Sequence, residues 1–269
     1  MKLLAVETAT SWQSVAILDG DRVLARFDQD ATGLHGKLLL PAIDQLFTRT
    51  GLQLSDLDGL ACSIGPGSFT GIRVGLATCL GLRAATDLPL ALVPTLEAMA
   101  WNAQSVALPL CPVLISRKGE VYWAIFRWTH DGRLERVLAE HAGVPQDLAR
   151  SLTGETMLFG EGWSSMEREI RSALPSSVAI LAGPETTAKP SAVAVGIIGL
   201  QQVRHGEIAG PQVSPLYVQR AVAEIRFEQT GGISPVVRRQ ERVTKKVTER
   251  MARGRPGKSQ PVRTRKSNG

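Results

Sequence analysis

A chain of 269 residues with 43% hydrophobic content is long enough to bury one large core or two modest ones. Its net charge of +6 hides an asymmetry: residues 231–269 carry twelve Lys and Arg against Glu241 and Glu249, a balance of +10, so residues 1–230 carry −4. No apolar run approaches the ~20 residues that cross a bilayer, Glu7 interrupts the only N-terminal stretch resembling a signal peptide, and Cys62, Cys79 and Cys111 form no CxxC pair. These features predict a cytoplasmic protein with reduced core cysteines, without a membrane span, disulfide framework or zinc site.

In chain order, Lys2 to Glu7, Ser14 to Leu18 and Arg22 to Phe27 read as strands, the last two joined by the Asp19-Gly20 turn. Leu39, Ile43, Leu46 and Phe47 then recur at helical spacing up to Gly51, and Pro41 predicts a kink or a helix beginning later than His35. Gly59 to Ile64 is a strand, Ile72 to about Thr86 a helix, Pro89 to Val93 a strand and Thr95 to about Ala103 a helix. This β-β-β-α-β-α-β order is the ribonuclease-H-like unit. A second unit opens at Cys111, with a turn at Lys118-Gly119 and a strand over Val121 to Trp128. It continues with a helix over Pro145 to Leu152, a strand over Met157 to Gly160, a helix over Ser164 to Ala173, a strand over Val178 to Ala182 and a helix over Ser191 to Val203.

The expected fold class is therefore α/β: a duplicated ribonuclease-H-like fold of the actin, Hsp70 and sugar-kinase type. Its lobes are expected at 1–104 and 105–230, followed by a disordered basic tail over 231–269, where the apolar period stops and aromatic residues are missing.

The segment Ser63 to Gly75 joins a buried strand to a helix through Gly65, Gly67 and Gly71. Amides at a helix start suit an anion, and Arg73 offers a charge-assisted bond, so Gly65, Gly67, Ser68, Thr70 and Arg73 are candidate nucleotide contacts together with Glu7 and Thr8 of the first turn. The spacing matches neither a Walker loop nor the dinucleotide fingerprint. The competing reading is that these glycines serve close packing. A metal-assisted phosphoryl transfer wants a second carboxylate at the matching turn of the other unit, where Ser116, Arg117 and Lys118 stand instead. The four histidines, His35, His130, His141 and His205, show no HxxxH spacing and read as surface or capping residues, and Ser68 lies in no GxSxG elbow.

Several segments together resemble the TsaB (YeaZ) family over most of residues 1–220. They are Val6-Glu7-Thr8-Ala9-Thr10, His35 with Leu39-Leu40-Pro41, Gly65-Pro66-Gly67-Ser68-Phe69-Thr70-Gly71-Ile72-Arg73, Gly119-Glu120-Val121-Tyr122 and Pro215-Leu216-Tyr217-Val218-Gln219-Arg220. The resemblance implies a non-catalytic paralogue of TsaD, the transferase that places threonylcarbamoyl on adenosine-37 of tRNAs reading codons that begin with A. It implies a TsaD-type transferase and a TsaE-type ATPase as partners, tRNA as an indirect one, and no cofactor of its own. TsaD-type proteins carry an HxxxH metal motif whose positions fall here on Thr95 and Met99, side chains that cannot replace two imidazoles. The chain departs from the family in Glu7 and Ser116, where aspartates are usual or common, and in its longer basic tail.

A scaffold needs a surface, and the expected partner face combines Leu38 and Leu39 of the first helix with Gly71, Gly75, Ala77, Thr78 and Gly81 of the second. The same face would serve self-association of the protein alone. The rival reading is a stand-alone ATPase or small-molecule kinase of the same fold. For the tail, a dispensable solvated segment and an auxiliary tRNA contact are the two alternatives.

Overall fold

The computed structural model describes residues 1–104, 106–184 and 187–218. The expected tail, 231–269, lies outside the described residues, as do Gln219 and Arg220. Residues 1–219 form one compact unit built on two five-stranded sheets.

The first sheet contains β1 (Lys2–Glu7), β2 (Trp12–Asp19), β3 (Arg22–Asp30), β4 (Gly59–Ser63) and β5 (Leu90–Val93), in the order β3-β2-β1-β4-β5. The second contains β6 (Leu110–Ile115), β7 (Val121–Trp128), β8 (Leu134–Gly143), β9 (Thr156–Phe159) and β10 (Ile180–Ala182), in the order β10-β9-β6-β7-β8. Read from the edge strand β8, the second sheet repeats the first: third, second, first, fourth, fifth. In each the first three strands are antiparallel neighbours, and the fourth and fifth run parallel to the first. This is the duplicated ribonuclease-H-like, actin/Hsp70/sugar-kinase fold that the order of elements predicts.

Alternation along β1 and β2 sets the layers. Leu4, Val6, Val15 and Ile17 face α1 (His35–Thr50) and α2 (Phe69–Thr86), whereas Leu3, Ala5, Ala16 and Leu18 face α6 (Ala192–His205). The strands are buried on both faces, which is why they read as near-continuous apolar runs. α3 (Thr95–Trp101) contributes Leu96, Met99 and Ala100 to a core shared with β6, β7 and β9. α4 (Pro145–Ser151) and α5 (Glu161–Ala173) cover the other face of the second sheet through Leu148, Trp163 and Ile170.

Four local expectations change. α1 starts at His35 and runs through Pro41; Pro41 and Lys37, whose carbonyl loses its intrahelical partner there, both face solvent, where water replaces the bond. α2 begins at Phe69, three residues earlier than its periodicity suggests, because the Ser68 side chain caps it by accepting from the Gly71 amide. β8 was not legible because an edge strand need not be apolar: LERVLAEHAG carries mixed charges and is recruited by antiparallel pairing with β7.

Finally, α6, which chain order alone assigns to the second lobe, packs on the first sheet. Gly196 and Gly199 allow that close approach, since a Cβ at Gly199 would stand 2.5 Å from Ala61 Cβ. The two sheets thus do not partition the chain at residue 104. No described helix is long and apolar enough to cross a membrane.

Candidate functional site

The first turn and the glycine segment come together, and what meets there is the chain's own backbone and the Thr8 side chain. The β1–β2 turn lies directly against the start of α2. Ser68 N donates to Ala9 O at 2.6 Å, and Thr8 Oγ1 donates to Gly71 O at 2.9 Å. A Cβ would stand 2.1 Å from Ala9 O at Gly67, 2.0 Å from Thr8 O at Gly71 and 2.3 Å from Thr8 Oγ1 at Gly75. Gly67 and Gly71 are therefore required by the approach of one backbone segment to another, and Gly75 by the Thr8 side chain seated against α2. Two of the amides expected to receive an anion, those of Ser68 and Gly71, are consumed by Ala9 O and by the Ser68 cap.

Glu7 is completely buried, its Oε1 accepting from Ala9 N at 2.5 Å while Oε2 has no hydrogen-bond partner. The Ser63 hydroxyl, also buried, lies beside the carboxyl without meeting hydrogen-bond geometry. Burial dominates over these contacts and pushes the Glu7 carboxyl up to about 7. Of the seven nucleotide-contact candidates, Glu7, Thr8 and Gly65 are buried, Gly67 is half-buried, and Ser68, Thr70 and Arg73 are exposed. None of the seven lines the cavity of about 920 Å³ between the two sheets, which is bounded by Thr10 and Trp12 of the first turn, Leu114, Glu161, Ser164 and the 187–191 segment.

The candidates for a partner face divide in the same way. Leu39, Gly71 and Gly75 are buried against the protein's own sheet and turn, which corrects their assignment to an outer surface. Ala77 and Gly81 are exposed, Leu38 and Thr78 half-buried, and a Cβ at Gly81 would meet nothing within 4 Å. Ala84 and Ala85 continue this exposed row, and Leu34 and Leu40 bring exposed apolar side chains at and after the start of α1.

Thr95 and Met99 are fully buried in α3. Thr95 N donates to Gly65 O at 2.8 Å, and Met99 packs between α3 and the second sheet, its methyl 2.9 Å from where a Cβ at Gly160 would stand. At the turn matching Glu7, Ser116 N donates to Glu120 O, and Arg117 pairs with Glu120 at 2.9 Å. His35, expected at the surface or in a capping role, is buried at the start of α1 beside the Thr10 backbone, and burial lowers its pKa. Cys62, Cys79 and Cys111 are free and buried, as their apolar surroundings predict.

One grouping was not assembled from the sequence. After α6 the chain runs back along α2, held by Ala209 N to Leu90 O, Arg83 to Gly210 O and Leu216 N to Ile64 O. This brings Tyr217 onto Phe69 and Arg73, 144 positions from Arg73. The available signal was the Pro215-Leu216-Tyr217 motif, whose destination only the fold supplies.

Comparison with known proteins agrees with this architecture. A model of the family described as TsaD, tRNA N6-adenosine threonylcarbamoyltransferase, matches residues 29–150. The Escherichia coli K12 tRNA threonylcarbamoyladenosine biosynthesis protein TsaB is 34% identical over 172 residues, covering 61% of this chain and 73% of that protein. The Haemophilus influenzae protein of the same name is 27% identical over 240 residues, 82% of this chain and 95% of that one. Among solved structures, YeaZ from Pseudomonas aeruginosa superposes with a TM-score of 0.68 at 27% identity, covering 80% of this chain and 99% of its own. With the repeated strand order, the glycine segment seated on the first turn and these identities, the chain belongs to the TsaB family.

Proposed function

We propose that this protein is a non-catalytic supporting subunit in the formation of threonylcarbamoyladenosine at position 37 of tRNAs that read codons beginning with A. In this reading it binds a TsaD-type transferase through the exposed sides of α1 and α2, and a TsaE-type ATPase joins that pair. The observation that carries it is the exposed row Ala77, Gly81, Ala84 and Ala85, the outer side of the helix whose inner glycines are used up by the protein's own first turn. Small side chains there let another helix approach closely while the TsaB fold stays intact.

Absence of catalysis by the isolated chain is part of the proposal. Glu7 is enclosed and held toward its neutral form near pH 7, so it is poorly suited to hold a metal ion in contact with a ligand. The positions matching a histidine pair are occupied by Thr95 and Met99 inside the core. The rival ATPase or kinase reading is disfavoured because its nucleotide-contact residues do not border the cavity between the sheets. The test is depletion of this protein in its host followed by nucleoside analysis of bulk tRNA. The modified adenosine is expected to fall, to return with the wild-type chain and to stay low with a chain unable to bind the transferase. Unchanged modification after depletion would overturn the reading.

A further inference from the structure

We infer that the cavity between the two sheets binds a small zwitterion, a free amino acid or a short peptide, with its carboxylate on Lys189 and its ammonium group on Glu161. At about 920 Å³ the cavity is of the size that small-molecule sites have. Four charged side chains line it: Arg26, Asp30, Glu161 and Lys189. Arg26 is paired with Asp28, and Asp30 accepts from Thr32 N at 2.8 Å and from Thr32 Oγ1 at 2.7 Å. Asp30 senses the Lys189 charge, but from beyond ion-pair distance. Lys189 and Glu161 are left, among the described residues, without an oppositely charged group within that distance.

The two charges belong to opposite walls. Lys189 lies in the segment that leads into α6, on the side of the first sheet; its Nζ stands 3.5 Å from the centre of the Trp12 ring of β2, and Asn102 Nδ2 donates to its backbone oxygen at 3.2 Å. The ammonium group is thus laid on an aromatic face that supplies no hydrogen-bond acceptor in the ring plane, and its N–H donors remain available to a ligand. Glu161 opens α5 on the second sheet and is half-buried. Burial holds its carboxyl above the ordinary carboxylate value, against the opposing hydrogen bond from the Ile115 backbone. A carboxyl drawn out of water with no cation beside it gains most from a ligand that brings one. A nucleoside triphosphate would satisfy Lys189 and set its phosphates against Glu161, and a simple amine would do the reverse; a zwitterion satisfies both walls. The hydroxyls of Thr10, Ser164, Thr187 and Ser191 are already engaged with backbone groups. Those of Ser11 and Ser165 are exposed at the same cavity and suit a ligand with a polar side chain.

The test is saturation-transfer NMR of the full-length chain with the proteinogenic amino acids and the dipeptides glycylglycine and glycylserine, followed by calorimetric titration of those that respond. At least one is expected to bind with a Kd of about 1 mM or below, and a response confined to amino acids or to dipeptides identifies which of the two is the ligand. Acetate and ethylamine, each with one of the two charges, should bind about tenfold more weakly or not at all. Lys189→Gln and Glu161→Gln should each weaken binding about tenfold, while Lys189→Arg, which keeps the charge, should retain it. Ser165→Tyr, which fills the cavity from an exposed position and leaves both charges in place, should abolish binding and serves if a charge variant fails to fold. No response from any zwitterion at about 10 mM would overturn the inference, as would equal affinity in wild type, Lys189→Gln and Glu161→Gln. ATP binding that Lys189→Gln weakens and that no zwitterion displaces would overturn it too, marking a nucleotide cleft. No transferase and no tRNA enter these measurements, so their failure leaves the proposed function standing, and unchanged tRNA modification after depletion would leave this site standing.

Discussion

At the scale of single residues, Glu7 shows how burial changes the meaning of a motif. A carboxylate at the first turn suggests a contact to phosphate or metal, yet its carboxyl is enclosed, with one oxygen bound to Ala9 N and the other unpaired. Its pKa rises from the ordinary 4.5 to about 7. The folded state therefore binds this proton more tightly than the unfolded chain does. The benefit is fully present below about pH 4.5 and is lost as pH rises through about 7, a change of about 3 kcal/mol. Glu7→Gln keeps an acceptor for Ala9 N and cannot ionise. Urea unfolding at pH 5 and pH 8 should show the wild type losing about 2 to 3 kcal/mol more than the variant between the two. Parallel pH dependences would mean that Glu7 stays charged in the fold. Legibility at this scale was partial: the residue type was visible, but its enclosure depends on Ser63 and the 8–9 turn, which only the fold places beside it.

At the scale of the element, α2 has two sides that one string of small residues cannot distinguish. Its inner glycines meet the first turn, Gly71 the Thr8 carbonyl and Gly75 the Thr8 side chain, whereas Gly81 faces open space. Gly71→Ala should destabilise the protein by about 3 kcal/mol, because the new methyl meets the Thr8 carbonyl and the turn cannot yield without losing its own hydrogen bonds. Gly81→Ala should instead stabilise the isolated chain by roughly 0.8–1 kcal/mol through helix propensity. Chemical denaturation of the two purified variants decides the matter, and shifts of the same sign would contradict the division of the helix into a packed and an open face. The helices and strands with strong periodicity were readable in advance. β8 was not, because its strand state is imposed by β7, and Pro41 misled because a solvent-facing carbonyl tolerates the lost bond.

At the scale of the whole molecule, a variant must separate association from folding. Gly75→Arg fails that requirement, since its Cβ would stand 2.3 Å from Thr8 Oγ1. Ala77→Glu, on the exposed side of the same helix, satisfies it. Its melting temperature should stay within a few degrees of wild type while stoichiometric co-purification with the TsaD-type transferase is lost. A variant that still co-purifies one to one would remove α2 from the interface.

Apart from β8, the order of strands and helices, their duplication, the family-like glycine segment and the charge step into 231–269 all follow from the amino-acid sequence, because periodicity, turn chemistry and composition are local properties. Which glycines pack and which are open was decided only in three dimensions. So was the return of α6 to the first sheet, and the meeting of Tyr217 with Arg73. These depend on contacts between segments far apart in the chain, and a string of residue types carries no record of which distant backbone will lie against it.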